Sequence, residues 1–388
     1  MTPSIWRLPG MRPLVTTTMA GFSGYAVLLP VAPLWARVGG AGTGGSGLVN
    51  GVLLLFTVLT QLSVPRALRR FGWGPVLTVG LLLLGVPGAA YAASDALGPV
   101  LVLSAVRGVG FGVLTVTGSS AVAALVGPER RGEAIGVYGL AVALPNLLLL
   151  PAGPWIAERV GFWVVFVISA LPVAGIPAAL RLAGELRETF PVQVDLTAPS
   201  PTGEPASAAY RHLLRPAVLL TSVTLAGGAA ITFVPQMTRG DLLGAAGLLV
   251  MGVVTTVARW RAGPVADRHG TRRFLWPLLL VAAAGTALMG WSVADVHRTN
   301  AGLFLAGAAV LGVGYGALQN LTLVVAFAAV SRRHHHLASA VWNVGFDAGT
   351  ALGSVAVGLI AARTSFSAAF LVAACLALAV VPAAVVRR

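Results

Sequence analysis

The sequence predicts an all-α membrane protein, with twelve transmembrane helices arranged as two pseudo-symmetric six-helix bundles. Three observations carry that expectation. Hydrophobic residues make up 57% of the 388-residue chain and charged residues 10%, whereas a soluble globular protein carries about a quarter charged residues. Apolar runs of span length recur from end to end, and each fits one helical crossing of a hydrocarbon layer about 30 Å thick. A polar stretch divides these runs six and six, and the two halves share motifs at fixed offsets.

The runs cover approximately 14–37, 46–65, 75–94, 99–126, 134–157, 161–182, 214–237, 241–261, 272–293, 301–329, 337–361 and 365–386. They are continuous rather than alternating, which excludes a transmembrane β-barrel. The first is too long for the apolar core of a signal peptide, and its removal would leave an odd number of spans. All 26 basic residues are Arg. When alternate loops are assigned to opposite sides, twenty fall on the side of the N-terminus, Arg259 and Arg261 among them. Five fall on the other side (Arg37, Arg159, Arg239, Arg298 and Arg363), and Arg107 lies inside a run. The excess marks the first side as cytoplasmic and places both termini there, as expected of a multi-pass protein of the plasma membrane. The formal charge of +14 is thus spread over short loops, and no nucleic-acid partner is expected. Cys375 is the single cysteine and has no partner for an internal disulfide.

Residues 183–212 are rich in Pro, Ser, Thr and charge, the composition of a linker. The expected organisation is a bundle over 1–182, a cytoplasmic linker over 183–213 and a second bundle over 214–388. "RGVGFGVLT" (107–115) and "LGVGYGALQ" (311–319) lie 204 residues apart, and the same offset places Ala134, Val137 and Tyr138 on Ala338, Val341 and Trp342. Earlier in each half, "PRALRRFGWGPVL" (65–77) matches "GPVADRHGTRRFL" (263–275) at an offset of 198. Six spans duplicated in one orientation form a parallel repeat.

The segment GVGYG at 312–316 differs by one letter from a potassium-channel filter. A filter needs an extended strand with a Thr hydroxyl at its base, but Gly312 stands there, in the middle of an unbroken apolar run. Gly108, Gly110, Gly112 and Gly312, Gly314, Gly316 instead read as small residues that let helix backbones approach.

The segment Gly263-Pro-Val-Ala-Asp267-Arg268-His-Gly270-Thr-Arg272-Arg273 resembles the G-x-x-x-D-R-x-G-R-R signature of the major facilitator superfamily of secondary transporters, here in the second half. Its first-half counterpart departs from the pattern, with Pro65 for the glycine and Arg69 for the acid. The resemblance implies an alternating-access carrier in which Asp267 and Arg268 latch a cytoplasmic gate, against a helix start near Gly132 to Ala134. A glycine permits close helix approach, and a carboxylate suits a helix N-terminus. The fifth run, with Gly153-Pro154, is only faintly similar to the family's antiporter motif. Pro145, Pro151 and Pro154 should bend that helix.

Ionisable groups inside spans are functional candidates, because burying them unpaired is costly. Two stand out. Asp347 lies about ten residues into the eleventh run, where burial disfavours the carboxylate and so suits proton uptake and release; its alternative is a carboxyl satisfied by neighbouring hydroxyls that holds helices together. Arg107 loosely matches an R-x-x-x-G-x-G motif that the family's proton-coupled exporters carry; its alternatives are a helix-to-helix anchor or a side chain snorkelling to the outer headgroups. Tyr25, Asn50, Asn146, Gln236, Gln319, Asn320 and Asn343 are further mid-span polar residues, candidates either for a substrate cavity or for helix–helix hydrogen bonds. So few charges suit an amphiphilic small molecule better than a multiply charged anion. "GGAGTGGSG" (39–47) has no Lys and follows no strand, so it is not a phosphate cradle. "HHH" (334–336) has no acid or cysteine near it in sequence. No catalytic set can be assembled, so the expectation is a monomeric carrier without enzyme activity or cofactor. Protons and a small molecule are its expected partners, and efflux of a drug or secondary metabolite its expected task. Uptake or uniport of a nutrient, and a membrane sensor that transports nothing, are the alternatives.

Overall fold

The structure is a computed structural model that describes residues 5–126, 131–189, 206–238, 241–295, 298–330 and 335–385. The described residues are helical apart from short turns, and no strand occurs among them. Twelve helices are long and apolar enough to cross a membrane. Spans 1 to 6 are Met11–Val38, Thr43–Gln61, Trp73–Ala93, Leu97–Val122, Gly136–Arg159 and Phe162–Arg187. Spans 7 to 12 are Tyr210–Met237, Leu242–Gly263, Arg272–Ser292, Ala301–Ala328, Leu337–Arg363 and Phe366–Val385.

Local sequence explains where helices stop and where they do not. Span 1 is interrupted between Leu28 and Val31, beside Pro30. Span 6 consists of three pieces broken at Ala170 and Gly175, just before Pro172 and Pro177; a proline lacks the N–H that continues a helix. Span 5 runs as one helix from Arg131 to Arg159 through all three of its prolines. The region expected to be linker is helical at both ends, because Ile176–Thr189 and Ala206–Met237 are helices. "AGELRET" and "ASAAYRHLLR" are made largely of good helix formers, and only 190–205 lies outside the described residues. Trp163, Trp260 and Trp291 stand exposed on spans 6, 8 and 9, where an aromatic ring can sit between headgroups and hydrocarbon.

The chain divides into two compact units, one of residues 1–40 and 52–198, the other of 41–51 and 199–388. The start of span 2 therefore groups with the second unit. Within the first unit, span 1 packs on span 5, and span 3 on span 4. The same pairs recur in the second, where span 7 packs on span 11 and span 9 on span 10. Positive φ also recurs at one place in each repeat: Gly72 (φ 77°) ends the short helix Val64–Phe71, and Gly270 (φ 86°) follows the helix that ends at His269. A side chain is strained in that conformation, which accounts for the glycine.

Candidate functional site

Span 4 owes its place to its glycines. A Cβ on Gly108 would run into the Leu53 carbonyl of span 2, one on Gly112 would lie 2.7 Å from the Thr57 carbonyl, and one on Gly110 would lie 2.5 Å from the Leu84 nitrogen of span 3. Span 10 repeats the device in the other unit. A Cβ on Gly312 would lie 2.8 Å from the Met251 carbonyl, one on Gly316 would run into the Thr255 carbonyl, and one on Gly314 would lie 2.6 Å from Ala282. GVGYG is thus a helix crossing and no ion filter. The close approach brings polar side chains from neighbouring spans together in each unit.

In the first unit the central group is Arg107. It is 0% exposed, which removes the snorkelling alternative. Its Nη2 donates to the Gly24 carbonyl of span 1 at 3.0 Å. Its guanidinium carbon lies 5.8 Å from the Tyr91 ring centroid, and Nε and Nη1 are buried without a hydrogen-bond partner. Beside it, Tyr25 stacks on Phe111 with centroids 3.7 Å apart, and Phe22 meets both rings edge-on. Helix pitch puts Phe111 one turn from Arg107, so the charge and the stack share a face of span 4. A charge held by one carbonyl and a ring face is poorly compensated.

In the second unit Asp347 is 6% exposed, on span 11. On the neighbouring span 10, Tyr315 lies one turn before Gln319 and shares its face. Arg259 donates from Nη1 to Gln319 Oε1 at 3.3 Å, and Asn320 Nδ2 donates to the Arg259 carbonyl at 3.0 Å. Aromatic rings border the set, with Tyr315 against Phe346 at 6.4 Å and Phe346 stacked on Trp342 at 5.6 Å. Spans 8 and 10 therefore join a cation to two amides, and span 11 sets Phe346 and Trp342 against Tyr315 with the buried Asp347 next to Phe346 in sequence.

Two of these residues were not singled out from sequence. Arg259 is counted among the cytoplasmic arginines although it falls at the end of the eighth apolar run, 241–261; it lies on span 8, in a helix that continues to His269. Tyr315 was read only as part of a glycine motif, although its twin at offset 204 is Phe111. Among the candidates, Gln319 and Asn320 come together on Arg259, Arg107 and Tyr25 lie side by side, and Asp347 is buried on the neighbouring span 11. Asn343 and Asn146 donate to their own helices, at Ser339 (2.9 Å) and Val142 (2.8 Å). Asn50 and Gln236 belong to a separate network in the second unit. There Asn50 donates to Thr232 at 2.9 Å and Thr232 to Ser354 at 3.2 Å, while Gln236 donates to the Thr232 carbonyl at 3.0 Å.

The signature residues are helical rather than a loop up to His269. A Cβ at Gly263 would meet only the Asn320 amide, at 3.7 Å, which is ordinary contact; close approach is not what this glycine serves. Arg268, Arg272 and Arg273 are exposed. The side chains of Asp267, of Glu133 beside Gly132, and of the histidines at 334–336 lie outside the described residues.

Against this geometry the comparisons are decisive about family. The Major Facilitator Superfamily model matches residues 14–260 and 242–388. The chain belongs to the Major Facilitator Superfamily. An MFS-type efflux pump of Mycolicibacterium smegmatis is 28% identical over 301 residues, covering 71% of this chain and 68% of the relative. A bacterial homologue of the human lysosomal transporter Spinster, solved in an inward-facing unoccupied conformation, superposes with a TM-score of 0.69 at 14% identity, over 99% of this chain and 95% of that one. The nucleoside transporter NupG, solved as a point mutant, gives 0.69 at 11% identity over 97% and 98%. These likenesses show a shared fold, and the chain is a major facilitator secondary transporter, a multi-pass membrane protein that acts on small molecules.

Proposed function

We propose that this transporter exports a small amphiphilic compound, such as a drug or secondary metabolite, across the plasma membrane in exchange for protons, working as a monomer with both termini in the cytoplasm. One observation carries the reading: a carboxylate, Asp347, is buried inside span 11, next to Phe346, which packs on Tyr315 of span 10. The mycobacterial relative is described as an efflux pump, which supports the direction. Asp347 takes a proton when the cavity faces one side and yields it on the other, while Arg107 tunes the polar centre of the first bundle. Tyr25 in the first bundle, and Gln319 and Asn320 in the second, are the side chains that would touch substrate. Asp267 and Arg268 latch the cytoplasmic gate. By this reading Asp347→Asn abolishes flux driven by a pH gradient in reconstituted vesicles while yield and thermal stability stay unchanged. Flux that persists at the wild-type rate would take Asp347 out of the mechanism. Flux that persists but ignores the gradient would mark a uniporter. Asp267→Asn should raise labelling of cysteines placed on the cytoplasmic side, and unchanged labelling would discard the latch.

A further inference from the structure

Spans 3 and 6 enclose a groove of about 400 Å³ at their arginine-rich ends, inside the first unit and away from the polar centre around Arg107. Small residues create it. A Cβ on Gly184 of span 6 would meet no atom within 4 Å, and one on Gly74 of span 3 would touch only Ala183 at 3.7 Å and Leu180 at 3.9 Å. Val79 and Leu180 on its walls are exposed, and exposed apolar side chains continue along both helices at Leu82, Val86, Val167 and Leu171. The groove therefore merges with a lipid-facing surface.

Its polar lining is one cation and one hydroxyl. Arg187 stands exposed on the lining. The Thr78 hydroxyl, also on the lining, is buried without a hydrogen-bond partner. The first turn of span 3 has no acidic residue, and Gly72 before it offers no side-chain cap, so the N–H groups there favour an anion. The short helix Val64–Phe71 that leads into span 3 adds Arg66, Arg69 and Arg70 and no acid, and it exposes Phe71. Arg69 stands where the repeat has Asp267, so this end of the first bundle has exchanged an acid for a base.

We propose that the groove binds an anionic phospholipid, with an acyl chain between spans 3 and 6 and the phosphate on Arg187, within the positive field of the Val64–Phe71 helix. Basic pockets between membrane helices on the cytoplasmic side take such headgroups. A free phosphate would leave the apolar walls unused, and a neutral lipid would leave the arginines unused.

The test is a titration of the purified full-length protein in mild detergent, read by native mass spectrometry. The probes are a phosphatidylglycerol, a phosphatidylcholine with the same chains, and glycerol 3-phosphate. The phosphatidylglycerol should be retained at least about fivefold better than the phosphatidylcholine, and glycerol 3-phosphate should not be retained. Arg187→Gln should weaken phosphatidylglycerol about fivefold, one arginine's share of the attraction, and leave phosphatidylcholine unchanged. Gly184→Leu, which fills open space, should reduce retention of both lipids. Equal retention of the two lipids, tight binding of glycerol 3-phosphate alone, or indifference to both substitutions would overturn the proposal.

Discussion

The crossing of spans 2 and 4 and the crossing of spans 8 and 10 share a backbone design and differ in chemistry. In the first, Gly108 and Gly112 lie against Leu53 and Thr57; in the second, Gly312 and Gly316 lie against Met251 and Thr255. One turn further along, each crossing is bridged by side chains. Gln61 donates to Thr115 at 3.3 Å, and Arg259 donates to Gln319 at 3.3 Å. Gln61 is the twin of Arg259 at offset 198, and Thr115 the twin of Gln319 at offset 204. The neutral pair shows that the crossing does not require a charge. A charge within a span is expensive, and the fold alone does not account for Arg259, which bonds Gln319 and receives the Asn320 amide on its carbonyl.

The shared backbone is the part of the comparison with the largest expected effect. Gly316→Leu would force a side chain into the Thr255 carbonyl, and packed backbone has nowhere to go. A cost of about 3 kcal/mol or more is expected, enough to prevent recovery of monodisperse protein by size exclusion. Gly108→Leu should fail in the same way, because the repeat makes the two sites alike. Gly139, where a Cβ would meet nothing within 4 Å, should accept Leu with full yield. Normal recovery of Gly316→Leu would mean that the crossings are looser than the contact distances state.

The difference in chemistry is tested by making the second crossing resemble the first. Arg259→Gln installs the residue of the twin, so yield should stay within about twofold of wild type. Transport should nevertheless fall on the order of tenfold, the effect of roughly 1.4 kcal/mol lost at the polar centre. If yield collapses instead, the charge is structural after all and the two crossings are less alike than they look.

How much of this could be read beforehand follows from what one sequence encodes. All twelve spans lie where continuous hydropathy put them, since hydrocarbon thickness fixes their length. The crossing glycines were also legible, because the repeat printed them twice. The bridge Arg259–Gln319 was not, although both residues were in view. Spans 8 and 10 follow different offsets to their twins, so the pairing shows only once the helices are docked. Depth along a helix can be counted from a sequence, as for Asp347, but the partner a side chain faces cannot. The amides of Asn146 and Asn343 illustrate the limit: both looked like cavity or inter-helix groups, and each bonds its own helix one turn back. For Asp267 the family pattern alone speaks.

The finest distinction between the crossings is a pair of hydroxyls. Thr57 donates to the Gly108 carbonyl across the crossing at 3.1 Å and to Leu53 at 2.9 Å. Its twin Thr255 has a hydroxyl that is buried without a partner. Threonine and valine have nearly the same shape, so exchanging them isolates the hydroxyl. Thr57→Val should lose about 0.6 kcal/mol, the average for a hydrogen bond between membrane helices, and the thermal midpoint should drop slightly. Thr255→Val should leave that midpoint unchanged or raise it, because an unpaired buried hydroxyl costs free energy that a methyl group does not. The two substitutions thus have opposite expected signs at equivalent positions. A drop of equal size in both would show that Thr255 is satisfied in the membrane, and the second crossing would then hold its helices by the same bond as the first.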